Sequence, residues 1–286
     1  MKKSLVTLLA ISMCAVMLAG CGAPKETAAA DTANDTAAAA DTAQTADEDT
    51  DQAAEAGSAV LADGVLTVGT NAEFPPFEYV GDDGEPDGFD MALIKAVGDK
   101  MGVEVKIENM EFASLVSSIG NKIDVAIAGM TVTDERKEVV DFSDSYYDAV
   151  QYVIVPADSS IATADDLVGK TIGVQLGTTG DFLAQDIEGS TVSSYNKAVD
   201  AVNDLLNGRS DLVIVDKNPA EVFAGMYPDD VIALDGAQFG FEVENYAIAM
   251  PKGDAELANA INQAIKDLKA DGTFDKLVAE YIEGSN

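Results

Sequence analysis

The sequence contains no histidine and no tryptophan, and it has only two cysteines among 286 residues. Without histidine, the chain cannot form a Ser-His-Asp or Cys-His catalytic site, an imidazole proton shuttle or a His-containing zinc site. The chemistry that remains is that of carboxylates and hydroxyls, or binding without catalysis. An acidic turn at 81–88 lacks the twelve-residue ligand spacing of an EF-hand, and we expect neither a metal nor a cofactor.

Basic residues are scarce as well. The chain has 17 Lys and Arg against 51 Asp and Glu, which gives a formal net charge of −34. This balance argues against nucleic acid as a partner, because binding to phosphates requires a positive surface. It argues equally against a polybasic patch that binds anionic lipids.

The N-terminus has the features of an export signal. Lys2 and Lys3 precede an apolar stretch at 5–19 that is too short to span a membrane comfortably. The next residues, LAGC at 18–21, resemble the bacterial lipobox, whose cysteine is acylated with fatty chains such as palmitate. We therefore predict a signal peptide at 1–20 and a lipid anchor on Cys21, which would hold the protein at the extracytoplasmic face of the cell membrane. The alternative is an ordinary signal peptide with an incidental cysteine.

Residues 22–58 are rich in Ala, Thr, Asp and Gln and contain no aromatic residue. Such a stretch cannot bury enough apolar area to offset its chain entropy. The segment 21–58 is therefore predicted to be a disordered acidic tether behind the lipidated cysteine. About 228 residues remain, enough for one large domain or two smaller lobes.

Strands and helices are predicted to alternate from residue 65 onwards, which is typical of parallel sheets with crossover helices. Two passages look alike, NKIDVAIA at 121–128 and GRSDLVIV at 208–215. Each comes after the end of a helix and places an Asp before four apolar residues, as expected if one lobe is built twice. Parallel sheets bind ligands at the carboxyl ends of their strands, so the residues directly after each buried strand are candidates for a binding site.

Complementary polar groups stand at these strand ends. Gly129, Thr131 and Arg136 come after one strand, and Arg136 should lie in the first turn of a helix capped by Thr133. Thr179 opens another helix and Asp216 ends a third buried strand. A guanidinium that binds a carboxylate and a carboxylate that binds an ammonium are what a zwitterionic amino acid requires. Taken singly, Arg136 could be a solvated residue and Asp216 a capping residue.

Several motifs in this order resemble the extracellular solute-binding proteins of family 3, the polar-amino-acid receptors of ABC importers. They are TNAEFPPFE at 70–78, GFD at 88–90, AGMTVTDER at 128–136, DFSDSYY at 141–147, QLGTT at 175–179 and DGTF at 271–274. The resemblance implies an α/β fold of the two-lobed, periplasmic-binding-protein-like type II, with two parallel or mixed sheets flanked by helices. Lobe 1 would comprise 59–151 and 250–286, and lobe 2 would comprise 152–249. Crossing strands would join the lobes near 151–155 and 246–250.

The same resemblance implies roles for individual residues. Arg136 would bind the α-carboxylate with Thr131 and Thr179, Asp216 would bind the α-ammonium, and the backbone of Gly129 would contribute to this polar end. Phe74 and Phe112 would flank the ligand side chain, although core packing is the alternative for both. Asn71 stands where aspartate is common in the family, so the side-chain preference is open. Residues near the motifs that could restore a negative or polar lining are Glu73, Glu111 and Gln175.

The predicted function is that of a substrate-binding lipoprotein that captures a free polar amino acid and delivers it to an ABC permease, acting as a monomer and not as an enzyme. Two alternatives use the same fold. The first is a cyclohexadienyl or arogenate dehydratase-like enzyme, with Glu73 or Glu111 as general acid. The second is a ligand-sensing receptor domain.

Overall fold

The computed structural model describes residues 62–284. The predicted signal peptide at 1–20, the lipidation site Cys21 and the tether at 21–58 lie outside the described residues. Within 62–284, no helix has the length and apolar character needed to cross a bilayer.

The described chain alternates strands and helices. The strands are β1 Val65–Thr70, β2 Glu73–Phe74, β3 Glu78–Val80, β4 Pro86–Asp87, β5 Glu104–Asn109, β6 Val125–Ala126, β7 Val140–Phe142, β8 Tyr147–Pro156, β9 Thr171–Gln175, β10 Thr191–Tyr195, β11 Leu212–Asp216, β12 Val231–Asp235, β13 Val243–Tyr246 and β14 Ala249–Pro251. The α-helices are α1 Phe89–Met101, α2 Leu115–Ser118, α3 Asp134–Val139, α4 Thr179–Asp186, α5 Ala198–Leu206, α6 Lys217–Met226, α7 Ala255–Ala270 and α8 Thr273–Leu277. Short 3-10 turns cover Phe112–Ser114, Ala164–Leu167 and Gly236–Phe239, and a π-helical turn covers Val278–Glu283.

Two sheets form the centres of two lobes. The first has the strand order β5-β1-β6-β14-β7, and the second has the order β10-β9-β11-β8-β12, with β13 paired to β8. Strands β1, β5 and β6 run parallel, as do β9, β10 and β11, whereas β8 and β14 run antiparallel to their neighbours. The mixed, two-lobed α/β architecture predicted from the sequence is confirmed. Strands β2, β3 and β4 form a small third sheet that packs on helix α1. We call the part built on the first sheet, together with this small sheet, lobe 1, and the part built on the second sheet lobe 2.

The two lobes repeat one local arrangement. In lobe 1, the Asp124 carboxylate accepts the Thr67 N–H at 2.7 Å, and the Asp124 N–H donates to the Thr67 carbonyl at 2.8 Å. In lobe 2, Asp211 and Thr171 make the same pair of hydrogen bonds, both at 2.8 Å. The repeated Asp in the two similar passages therefore fixes the start of a buried strand against a parallel neighbour, β1 in lobe 1 and β9 in lobe 2.

The chain crosses between the sheets twice. It leaves the first sheet after β7 and joins the second at β8, so the first crossing falls at 143–146. This is earlier than the predicted stretch 151–155, because Tyr147 already pairs with Tyr246, and Gln151 pairs with Asp216 inside the second sheet. The return crossing lies between β13 and β14, at 247–248, within the predicted stretch 246–250.

The last long helix packs back on lobe 1. Its residues Leu257, Ile261, Ile265 and Leu268 are buried and belong to the same core cluster as the buried face of α1. Helices α1 and α7 contact each other directly. The chain therefore returns to its first lobe, as the spacing of these apolar residues predicts.

Gly236→Ala should lower the free energy of unfolding by about 3 kcal/mol or more, because overpacking against backbone cannot be relieved by a side-chain rotation. A Cβ atom at Gly236 would lie 1.7 Å from the carbonyl oxygen of Gln151. Urea unfolding followed by circular dichroism measures the change. The matched control is Gly225→Ala on helix α6, where an added Cβ atom has no neighbour within 4 Å among the described residues outside its own helix. This variant should raise the free energy of unfolding by roughly 0.5–1 kcal/mol. Equal stabilities of the two variants would contradict the close approach at Gly236.

Candidate functional site

Nine of the ten predicted ligand-binding residues line one cavity. Its walls come from both lobes, mostly at or after the ends of parallel strands, whereas Phe74 and Glu78 lie on the antiparallel strands β2 and β3. The lining residues are Asn71, Phe74, Glu78, Phe112, Ala128, Gly129, Thr131, Arg136, Gln175, Thr178, Thr179 and Asp216. Glu73 is the predicted residue that is absent from this lining, and Glu78, Ala128 and Thr178 were not predicted.

Arg136 supplies the positive charge of the cavity. Helix α3 holds it in place, because the Thr133 side chain caps this helix by accepting the Arg136 N–H. The guanidinium is buried and donates to the carbonyl oxygens of Thr131 at 2.5 Å and Gly177 at 3.0 Å. These bonds use two of its five N–H groups. Burial lowers the pKa of Arg136, and the nearby carboxylates of Glu244 and Asp216 oppose that shift.

Asp216 supplies a buried carboxylate at the end of β11. One of its oxygens accepts a hydrogen bond of 2.5 Å from the Tyr246 hydroxyl. Asp216 occupies the position before helix α6, yet its side chain makes no capping hydrogen bond, so capping does not explain it. Burial and the nearby charge of Glu244 raise the pKa of Asp216 from 3.8 to about 7. A cationic group placed beside it would oppose this shift.

Glu244, which was not among the predicted residues, orients the hydroxyl groups of the cavity. Its Oε2 atom accepts from the Thr131 hydroxyl at 2.6 Å and from the Thr179 hydroxyl at 2.7 Å. A hydroxyl has one proton to donate, so each threonine keeps an acceptor oxygen for the cavity, although the Thr179 oxygen also accepts from the Gln151 amide at 3.1 Å. In this arrangement they suit an ammonium group better than the carboxylate that the resemblance assigns to them.

Two amide side chains join the lobes at the cavity wall. The Gln175 amide donates to Asn71 Oδ1 at 2.8 Å and to the Asn196 carbonyl at 3.1 Å. The Asn71 amide donates to the Met110 carbonyl at 2.9 Å. These bonds run between lobe 1 and lobe 2 and within each lobe, so the lobes are in contact in this structure.

Aromatic rings form the apolar walls. Phe74 and Phe112 both line the cavity and are more than nine-tenths buried. The Arg136 guanidinium carbon lies 5.4 Å from the centre of the Phe112 ring, a distance at which a cation is attracted to the ring face. Phe112 thus contacts the charged end of the cavity and is not confined to core packing.

The two acidic residues suggested for the side-chain region lie elsewhere. Glu73 forms an ion pair with Lys197 of lobe 2, and Glu111 is exposed. Glu73 and Phe74 are consecutive residues of β2, so their side chains point to opposite faces. Because Phe74 faces the cavity, Glu73 faces away from it.

The buried acids are instead Glu78 and Asp90. Glu78 lines the cavity with no solvent exposure, and no donor group of the described residues reaches either of its oxygens. Its neighbour is the carboxyl group of Asp90, with which it can share a proton. Burial and the Asp90 charge raise the pKa of Glu78 well above its usual range, and burial raises the pKa of Asp90 to about 6.

Asp90 lies in the first turn of helix α1 but does not cap it. Gly88 precedes the helix, and no side chain caps it. The Asp90 carboxylate points into the protein, where it accepts the Gly129 N–H at 2.7 Å and the Tyr146 hydroxyl at 2.8 Å. Asp90 therefore fixes the backbone at Gly129, directly beside the cavity. Acidic residues placed between large apolar ones, in FEY and FDM, were the signal for these buried carboxyls.

The described residues contain no group of three or more cysteines or acidic residues that could hold a metal ion. The site consists instead of one buried cation, a buried carboxylate beside two hydroxyl oxygens, two aromatic walls and a pair of neighbouring carboxyls. The charges of Arg136 and Asp216 are complementary to the carboxylate and the ammonium of a small zwitterion.

Comparisons with known proteins agree with this chemistry. The sequence model of "Bacterial extracellular solute-binding proteins, family 3" matches residues 66–284. The "Arginine-binding extracellular protein ArtP" of Bacillus subtilis is 35% identical over 223 residues, which cover 77% of this chain and 86% of that protein.

Solved structures are similar as well. A mutant of ArgBP from T. maritima has a TM-score of 0.72 at 41% identity, over 78% of this chain and 97% of that one. The ancestral amino acid-binding protein AncCDT-1, described as a precursor of cyclohexadienyl dehydratase, has a TM-score of 0.71 at 33% identity, over 78% and 97% of the two chains.

Proposed function

The chain belongs to the bacterial extracellular solute-binding proteins, family 3, and we propose that it binds a free amino acid and delivers it to the permease of an ABC importer. The observation that carries this proposal is that a buried cation, Arg136, and a buried carboxylate, Asp216, line the same cavity. Burying either charge without a partner is costly, and a zwitterionic ligand supplies a partner for each.

The ligand's α-carboxylate binds the N–H groups of Arg136 that its two carbonyl contacts leave over. Its α-ammonium binds Asp216, with the hydroxyl oxygens of Thr131 and Thr179 as further acceptors, because Glu244 takes both hydroxyl protons. The ligand thereby replaces solvent at both of its charged ends with charge-assisted hydrogen bonds.

The side chain of the ligand is cationic in this proposal. It lies between Phe74 and Phe112, where aromatic faces attract a cation, and ends at the carboxyl group of Glu78, which lines the cavity. A guanidinium or ammonium would give Glu78 the positive partner that it lacks among the described residues. The name of ArtP, an arginine-binding protein, supports this side-chain class.

The finer organisation of the chain is part of the same proposal. The lobe boundaries lie at the two crossings, near 143–146 and 247–248, and hinge motion there opens the cavity. Cys21 carries the lipid that anchors a monomeric receptor at the extracytoplasmic face of the membrane. Cys21→Ser should therefore move the protein from the membrane fraction to the soluble fraction.

Calorimetry and thermal unfolding of the full chain in mild detergent test the proposal against the twenty amino acids, ornithine and cystine. We expect L-arginine, L-lysine and L-ornithine to bind, and a ligand at a hundred times its Kd should add about 2.7 kcal/mol of stability. Hits confined to neutral amino acids would overturn the cationic side-chain class alone. If no compound of the panel binds, the proposed receptor function is wrong.

A dehydratase-like enzyme is the second candidate, supported by the similarity to AncCDT-1. We propose that this chain is not an enzyme, because its buried cavity acids can be satisfied by a cationic ligand. Incubation with prephenate and arogenate should give no product, and measurable turnover would contradict this.

A further inference from the structure

One ion pair joins the lobes outside the ligand cavity. Glu73 lies on β2 in lobe 1, and Lys197 lies directly before helix α5 in lobe 2. Their side chains are 23% and 44% exposed and form a salt bridge. Neither residue lines the cavity, so the pair can act on closure without contacting the ligand.

The pair belongs to a set of neighbouring contacts that joins the two lobes. Gln175 donates to Asn71 and to the Asn196 carbonyl, and Asn196 is followed by Lys197. Lys197 in turn reaches Glu73, two residues after Asn71. The segment 71–73 of lobe 1 is thus joined at both ends to lobe 2, at Gln175 and at Lys197.

The charges around Lys197 favour this contact. The hydrogen bond and charge of Glu73 raise the pKa of Lys197, and the charges of Glu111 and Asp200 act in the same direction. Glu73 and Glu111 belong to lobe 1, so a cation of lobe 2 faces two carboxylates across the cleft. Opening the lobes at the crossings would separate these charges.

We propose that the Glu73–Lys197 ion pair is a latch between the lobes that slows the release of a bound amino acid. The inference rests on the proposed receptor function. Apparent affinity is the intrinsic affinity scaled by the closed fraction of the protein, so a contact made only on closure lengthens residence without touching the ligand. The partly exposed pair is expected to change release a few-fold.

The test measures association and dissociation of L-arginine by stopped-flow and calorimetry at low and at high NaCl concentration. Glu73→Gln and Lys197→Gln should each raise the dissociation rate about threefold at low salt, with little change in association. High salt should reduce this difference. The charge-swapped double variant, E73K with K197E, should recover most of the wild-type residence time.

A matched control removes an ion pair that lies within one lobe. Lys100 and Asp271 pair at 2.7 Å with side chains 37% and 42% exposed. The K100Q and D271N double variant should leave the dissociation rate and its salt dependence unchanged. Equal effects of this control and of Glu73→Gln would overturn the latch, because general loss of charge would then explain both.

Further outcomes separate the latch from the receptor function. Unchanged dissociation in both single variants overturns the latch, and a change of amino-acid preference in Glu73→Gln places Glu73 at the ligand instead. If the wild type binds no amino acid, the receptor proposal fails. In that case, small-angle scattering of the ligand-free chain tests whether the ion pair holds the lobes together. Glu73→Lys replaces the attraction to Lys197 by repulsion and should enlarge the radius of gyration. An unchanged radius overturns the latch.

Discussion

Asp216→Asn should weaken L-arginine binding at about pH 7.5 by roughly a hundredfold, without loss of the fold. The variant keeps the shape of the side chain but removes the carboxylate that faces the ligand's α-ammonium. Truncating one partner of a buried charge pair costs about 2–5 kcal/mol, which corresponds to a loss of about thirty-fold to several thousand-fold. Isothermal titration calorimetry measures it directly.

The pH dependence of binding supplies an independent check. Burial raises the pKa of Asp216 to about 7, whereas the ammonium of the ligand favours the ionised form. Binding below pH 7 therefore releases a proton, and this residue alone should weaken wild-type binding about tenfold per pH unit as the pH falls. In Asp216→Asn, this one-proton contribution to the slope should disappear.

Stability distinguishes lost binding from lost folding. The pKa of Asp216 is raised in the folded state, so its stabilising contribution is complete below about pH 3.8 and is lost as the pH rises through about 7. Ligand-free Asp216→Asn should thus be at least as stable as the wild type above that range. The control Asp211→Asn removes an exposed carboxylate near the start of the same strand and should leave affinity unchanged. Wild-type affinity in Asp216→Asn would refute the ammonium site.

The polar end of the cavity was largely predictable from the sequence. Parallel sheets bring the carboxyl ends of their strands to one edge, and Arg136, Thr179 and Asp216 each lie at or after the end of a buried strand at that edge. The capping of helix α3 by Thr133 was also readable, because a threonine before an acidic first turn favours a helix start. These features depend on local sequence and on the geometry of parallel sheets.

The acidic side-chain region was not predictable in the same way. Strands β2 and β3 have two and three residues, too few for alternation to show which side chains face inward. Sequence proximity therefore favoured Glu73, whereas the structure places Glu78 at the cavity. Glu244 was missed for another reason. It lies 113 residues from Thr131 in sequence, and only the return crossing brings the two together.

Glu78→Gln should weaken L-arginine binding by roughly thirtyfold or more and leave L-glutamine binding unchanged or improved. Burial and Asp90 raise the pKa of Glu78 well above its usual range, which favours the protonated form of the carboxyl. A guanidinium beside it stabilises the carboxylate and donates two charge-assisted hydrogen bonds to its two oxygens, whereas a Gln side chain offers only one acceptor oxygen. Losing a buried charge partner costs about 2–5 kcal/mol.

Competition between L-arginine and L-glutamine in calorimetry measures this change of preference. The control Glu111→Gln removes an exposed carboxylate beside Phe112 in the sequence and should bind both amino acids as the wild type does. The oxygens of Glu78 accept no hydrogen bond from the described residues, so Glu78→Gln removes none. The free energy of unfolding of the ligand-free variant should therefore be no lower than that of the wild type. Equal weakening for both amino acids would show that Glu78 maintains the structure of the cavity and does not select the ligand side chain. Wild-type affinity for L-arginine would instead show that the cationic end of the ligand lies elsewhere, because a buried guanidinium requires a negative partner.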